Sequence, residues 1–220
     1  MSDQAFLDDL VATYLVPVPR TFAVDQSSNP NLAFKTSGDG RALIEAFEGC
    51  DRPIVNRPGF FTTYYDEVGV LTLGFGHTNL GNIAPRIVQG SVWSQQQCAD
   101  ALSNDLARFE KDVALLFPKT ILTQHQFDAL VSLDFNTGSL ARSSIPGKII
   151  AGNLNAATAT LLQYNHAGGQ VLAGLTRRRM AEKLLFEGNV AAALTLAGAH
   201  HDTGKPMSKA TCAPGGETPT

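Results

Sequence analysis

Apolar positions fall into two registers along this chain. Near the start, Phe6, Leu7, Leu10, Val11, Tyr14 and Leu15 form a stripe at helical spacing, as in a short amphipathic helix that packs on a domain or a partner. Pro17 and Pro19 then stop it. Leu43, Ile44 and Phe47 repeat the helical spacing between Asp39, a residue able to cap a helix start, and Gly49, a residue suited to its end. They predict a short helix ending at Glu48. From Phe60 to Tyr65 and from Val70 to Phe75 the register changes to runs of aromatic and β-branched residues, with Asp66-Glu67-Val68-Gly69 between them. That pattern predicts two paired strands joined by a tight turn.

These elements carry candidate chemistry. A carboxylate in the last turn of a helix faces the negative end of the helix dipole, which disfavours its charged form, and a general acid must arrive protonated. Glu48 fits that role better than Glu45, which lies one turn earlier. Asp66 at the mouth of the turn and Thr72 across the hairpin are placed to share a water molecule. Taken singly, Asp66 reads as a turn residue and Thr72 as a strand residue. Together with Glu48 they match the two-carboxylate logic of glycoside hydrolysis.

The helix ending Phe47-Glu48-Gly49 and the run Tyr65-Asp66-Glu67-Val68-Gly69-Val70-Leu71-Thr72-Leu73-Gly74-Phe75-Gly76-His77 resemble the phage-type lysozymes, glycoside hydrolase family 24. Downstream, Thr123 to Gly138 is similar to that family's central helix and the Asn-x-Gly after its aromatic residue. Ser143-Ser144-Ile145 resembles the next helix start, and Gly174 to Phe186 the closing Gly-Leu-x-x-Arg-Arg helix. Ordered matches span about 41 to 190. The resemblance implies Glu48 as general acid and Asp66 with Thr72 as holders of the attacking water. It also implies substrate contacts at Thr78, Phe135 and Ser144, and no metal or organic cofactor. The chain departs from the family in a longer stretch between Gly49 and Tyr65, and in Tyr164-Asn165 where many relatives carry a tryptophan. His77 is expected to be a structural hydrogen-bonding group joining the hairpin to the rest, rather than a proton shuttle. Arg177, Arg178 and Arg179 cannot all face one way on a helix, so one is expected to anchor the lobe interface while the others are solvated.

Composition narrows the class. At 220 residues with 44% hydrophobic content, the chain suits one domain plus appendages. Its net charge of −3 resides in residues 1 to 40, where Arg20 and Lys35 face five aspartates; from 41 to 190 the charges balance. Strong attraction to an anionic wall is not expected, and nothing resembles a nucleic-acid module. Asp8-Asp9 interrupt the amino-terminal apolar stripe, which therefore does not read as a secretory signal, and no run reaches membrane-spanning length. The tail from Gly198 to Thr220 is rich in small and polar residues, and His200-His201 lack a spaced third metal ligand. Cys50, Cys98 and Cys212 read mostly as free thiols of a reducing compartment, with a Cys50–Cys98 bridge left open.

The expected fold is therefore α+β and lysozyme-like: a small hairpin lobe from about 41 to 90, a larger helical lobe from about 91 to 190, and a cleft between them. Residues 1–40 form an extension, 41–190 the catalytic domain, and 191–220 a helix end and tail. The expected activity is a monomeric muramidase cutting the β-1,4 bond between N-acetylmuramic acid and N-acetylglucosamine in peptidoglycan glycan strands. It would be made in the cytoplasm and act in the bacterial periplasm or cell wall, in phage lysis or as an injected effector with an immunity protein or a secretion-machine component as partner. A lytic transglycosylase and a non-catalytic wall-binding protein of the same fold are the alternatives.

Overall fold

The computed structural model describes residues 29–50, 52–66 and 68–199. The amphipathic stripe at 6–15, its proline stop, His200-His201, Cys212 and nearly all of the tail lie outside the described residues.

Helix α1 spans Gly38–Glu48, and strands β1 (Phe60–Thr62), β2 (Tyr64–Tyr65), β3 (Leu71–Leu73), β4 (His77–Thr78) and β5 (Val92–Ser94) follow. The helical part comprises α2 (Gln95–Leu116), α3 (Gln124–Thr137), α4 (Ile145–Ile150), α5 (Leu154–Leu161), α6 (Ala173–Phe186) and α7 (Val190–Ala197). A small hairpin of β6 (His166–Ala167) and β7 (Gln170–Val171) precedes α6. No helix among the described residues is long and apolar enough to cross a membrane.

The aromatic run Phe60–Tyr65 is divided between two sheets, where a single pairing was expected. Its first half, β1, pairs antiparallel with β5, and only Tyr64–Tyr65 pairs with β3. The break lies at Thr63, whose N–H donates to the Ser91 carbonyl (3.3 Å) and whose hydroxyl accepts from Gly90 N–H (2.8 Å). The chain thus steps from one ladder to the next through a single residue. β3 then pairs with β4, with Thr72 opposite Thr78 and Leu73 opposite His77.

Helix α3 is the centre of the helical part. Every residue from Phe127 to Asp134 is buried, as expected of a helix packed on all sides. Its neighbours are α1, α2 and α6, while α7 packs against both α6 and α1. Leu43 and Ile44 of α1, Leu102 and Leu106 of α2, and Phe127, Leu130 and Leu133 of α3 are all at most 1% exposed and form one apolar cluster with Leu73 of β3.

Helix α1 begins two residues earlier than a cap at Asp39 would place it, because its cap is Ser37. The Ser37 hydroxyl faces Gly40 N–H, while its own N–H and hydroxyl donate to the Asp128 carboxylate at 3.0 and 2.5 Å. Gly40 is required there: a Cβ would stand 2.7 Å from Asp128 Cβ. At the other end Gly49 takes φ 66° and its N–H returns to the Glu45 carbonyl, a backbone conformation that glycine adopts without strain. Glu48 is therefore left as the final residue of the helix.

Candidate active site

Glu48 comes from the end of α1 and meets α6. Its Oε1 accepts a 2.5 Å ion-paired hydrogen bond from Arg178 Nη1, and its side chain is 21% exposed. The other carboxylate oxygen, Oε2, faces the turn between β3 and β4, 3.8 Å from where a Cβ on Gly76 would stand. The acid thus lies between the helical part and the hairpin. The helix dipole is not the only field at Glu48, since the Arg178 guanidinium pairs with its carboxylate. Glu45, the rival carboxylate, pairs with Arg41 on its own helix at 3.6 Å; burial raises its pKa, and Arg41 opposes the rise.

Arg178 is held by buried groups. Its Nε donates to Glu182 Oε1 at 3.2 Å, and its Nη2 lies 3.4 Å from the Ser132 carbonyl. Glu182 Oε1 also accepts from Arg179 Nη2 (2.8 Å) and from the Ser132 hydroxyl (2.7 Å). Arg179 and Glu182 are fully buried and Arg178 nearly so. Burial lowers the Arg179 pKa from its ordinary range, with Glu182 acting against the shift. Two of the three consecutive arginines are therefore interior, not one. Arg177 is the exposed member, its guanidinium carbon 5.5 Å from the centre of the Phe47 ring.

Asp66 closes the hairpin turn. Its Oδ1 accepts from Val68 N–H (3.0 Å) and Val70 N–H (2.8 Å), a side-chain-to-backbone pattern that fixes the carboxylate relative to the strands. Thr72, 3% exposed, donates its hydroxyl to the Val70 carbonyl at 3.0 Å. Both side chains are thus anchored on the same residue, Val70, one on its N–H and one on its C=O. The Thr72 hydroxyl keeps acceptor capacity for a further donor.

Of the three expected substrate contacts, Thr78 stands opposite Thr72 in the β3–β4 register. Phe135, half-buried on α3, packs edge-on to Phe109 with centroids 5.2 Å apart. Ser144 is exposed at the N-cap of α4 and makes no capping bond with its side chain. His77 is 2% exposed and joins the hairpin to the helical part: Nδ1 meets Asp105 of α2 at 2.8 Å and Nε2 meets the Pro85 carbonyl at 2.8 Å. Among the described residues no group of three or more His, Cys, Asp or Glu side chains is placed to hold a metal ion. A cavity of about 370 Å³ lined by Thr123, His125, Asn155 and Glu187, among others, contains none of these site residues.

What the arrangement can do is present an acid, fixed at one oxygen, toward a hairpin that carries a second anchored carboxylate and a hydroxyl. Glu182 and Ser132 were missed in the sequence, and Arg178 was named there only as one of three arginines, one of which was to anchor the lobe interface. Their only local signal is that Glu182 lies four residues after Arg178 and three after Arg179, the spacing of ion pairs on one helix face.

The sequence model described as Phage lysozyme matches residues 56–182. The endolysin of Acyrthosiphon pisum secondary endosymbiont phage 1 is 36% identical over 159 residues, covering 69% of this chain and 97% of the relative. The endolysin of Lactococcus phage c2 is 34% identical over 155 residues, again 69% of this chain but only 60% of that longer relative. Among solved structures, the muramidase domain of SpmX from Asticaccaulis excentricus superposes with a TM-score of 0.57 at 30% identity, over 69% of this chain and 97% of the domain.

Proposed function

The chain belongs to the phage lysozyme family of glycoside hydrolases, and from that premise we propose that it hydrolyses the β-1,4 bond between N-acetylmuramic acid and N-acetylglucosamine in peptidoglycan. Glu48 is the general acid, and Asp66 with Thr72 holds the attacking water. The observation that supports this reading best is the division of labour at Glu48. Oε1 is tied to Arg178 and Oε2 faces Gly76 in the β3–β4 turn of the small sheet that carries Thr72 and, at its other turn, Asp66.

In this reading Arg178 fixes the carboxyl group while the proton is carried on Oε2 and passed to the leaving glycosidic oxygen. Asp66, tethered at Oδ1 by two backbone N–H groups, orients water with Oδ2, and the Thr72 hydroxyl accepts a hydrogen bond from that water. Preorganisation of this kind accounts for much of enzymatic rate enhancement, because the groups need not be ordered during the reaction. Thr78, Phe135 and Ser144 are the proposed glycan contacts.

Glu48→Gln tests the assignment, since it keeps the size of the side chain and removes the transferable proton. Clearing of purified peptidoglycan should fall by about 10²-fold or more, with circular dichroism and thermal midpoint near those of the parent. Clearing at the parental rate would remove Glu48 from the mechanism. The masses of the released fragments distinguish the reaction: hydrolysis leaves reducing-end products one water heavier than the anhydro products of a lytic transglycosylase.

A further inference from the structure

Cys50 and Cys98 are far apart in sequence and adjacent in space. Cys50 follows Gly49 immediately after α1; Cys98 lies in the first turn of α2 and is 1% exposed. The two are not bridged to each other, and the side chain of Cys50 is the hydrogen-bonding neighbour of Cys98. The turn between β3 and β4 closes over Cys98 at Gly74, where a Cβ would stand 2.9 Å from Cys98 Sγ. The sulfur occupies the space a side chain at Gly74 would fill. Cys50 is half-buried, so one thiol can be reached from solvent while the other is sealed behind it.

We propose that Cys50 and Cys98 are a disulfide-forming pair, closed by thiol–disulfide exchange with a disulfide-bearing oxidant, and that the bond ties the segment leaving Glu48 to helix α2. Cys50, as thiolate, attacks one sulfur of the oxidant's S–S bond; that bond breaks, and the departing sulfur takes up the proton that Cys50 released. Cys98, as thiolate, then attacks Cys50 Sγ in the mixed disulfide and expels the second sulfur, which takes up the Cys98 proton. Two electrons pass from the protein thiols to the oxidant, and two thiols of the oxidant are released.

The order follows from the geometry, since the reachable sulfur must react first and the sealed one resolves the intermediate. The hydrogen bond from Cys50 also holds the Cys98 thiol below its ordinary range, burial acting against it, which favours the thiolate needed for the second step. In a reducing cytosol the pair stays as thiols, and in an oxidising compartment it closes. Because the side chains are already neighbours, closure asks for little backbone movement. It restrains the unfolded chain over a long loop and leaves the groups on Glu48 and Arg178 in place.

The test uses the full-length chain, oxidised with glutathione disulfide and compared with the same chain under dithiothreitol. Peptide mapping is expected to find Cys50 joined to Cys98, the intact mass lower by two hydrogens, and the thermal midpoint higher by about 5 to 10 °C. Wall clearing at ambient temperature should be retained. Cys50→Ser should abolish both the bridge and the thermal gain, whereas Cys212→Ser should keep both. Cys50 and Cys98 remaining open to alkylation after oxidation, a bridge running to Cys212 instead, or an oxidised chain that melts no higher than the reduced one would each overturn the proposal.

Discussion

Glu182 is a fully buried carboxylate whose Oε1 is shared by Arg178, Arg179 and Ser132. Removing one partner from such a cluster leaves the others charged and desolvated, at a cost of about 3 to 5 kcal/mol. Glu182→Ala should therefore lower the urea midpoint steeply and, by loosening Arg178, reduce activity in whatever fraction remains folded. His77 supplies a pH-dependent counterpart. Burial opposes its charge, but the Asp105 carboxylate and the Pro85 carbonyl outweigh that and raise its pKa above 6.5. Both ring nitrogens face acceptors, so the doubly protonated ring is the form that satisfies them. A group whose pKa is raised by folding stabilises fully below its unfolded value and loses that contribution as pH climbs through the folded one. Urea unfolding from about pH 6 to about pH 9 should show stability declining from this source. Asp105→Asn should flatten that slope, and an unchanged slope would assign the pH dependence to another group.

At the scale of elements, the start of α1 depends on close packing against α3. Gly40→Ala would drive a methyl group to 2.7 Å from Asp128 Cβ, and overpacking of that kind destabilises by about 1 to 3 kcal/mol; chemical denaturation would measure it. This contact also shows why the helix end could be read from sequence and the helix start could not. Leu43, Ile44, Phe47 and Gly49 carry their information locally, in spacing and in a glycine. The choice of Ser37 over Asp39 as cap is made by Asp128, 91 positions downstream. The same holds for Arg178, which reaches Glu48 across 130 positions, and for the strand run Phe60–Tyr65, whose division follows from where β5 arrives. Periodicity reports which face is buried, but not which distant partner covers it.

At the scale of the whole chain, the segment just before α1 is bound into the helical part more firmly than an appendage. Asn31, fully buried, donates to the carbonyls of Phe117 and Thr120 at 2.7 and 2.8 Å and accepts from Leu122 N–H. Thr36 donates to Glu110 through both N–H and hydroxyl, and Lys35 pairs with the same carboxylate. Deleting residues 1–36 should thus orphan the carbonyls of Phe117 and Thr120 along with Glu110 and lower the thermal midpoint by several degrees. Deleting 1–28 leaves all of these bonds in place, so the truncation at 36 should melt below the truncation at 28, which calorimetry on the two would measure.

Thr63, where the chain passes from one small sheet to the other, has a mechanical meaning for the Asp66 carboxylate. Because β1 and β2 are separated by Thr63 alone and are pinned at that joint by Gly90 and Ser91, the loop before β5 and the turn at Asp66 are joined by one short length of strand. Movement of that outer loop, whether from a bulky neighbour or a bound polymer, would be transmitted along the strand to Asp66 and shift it relative to Glu48. Sensitivity to distant surface changes is therefore expected to concentrate around residues 88–91.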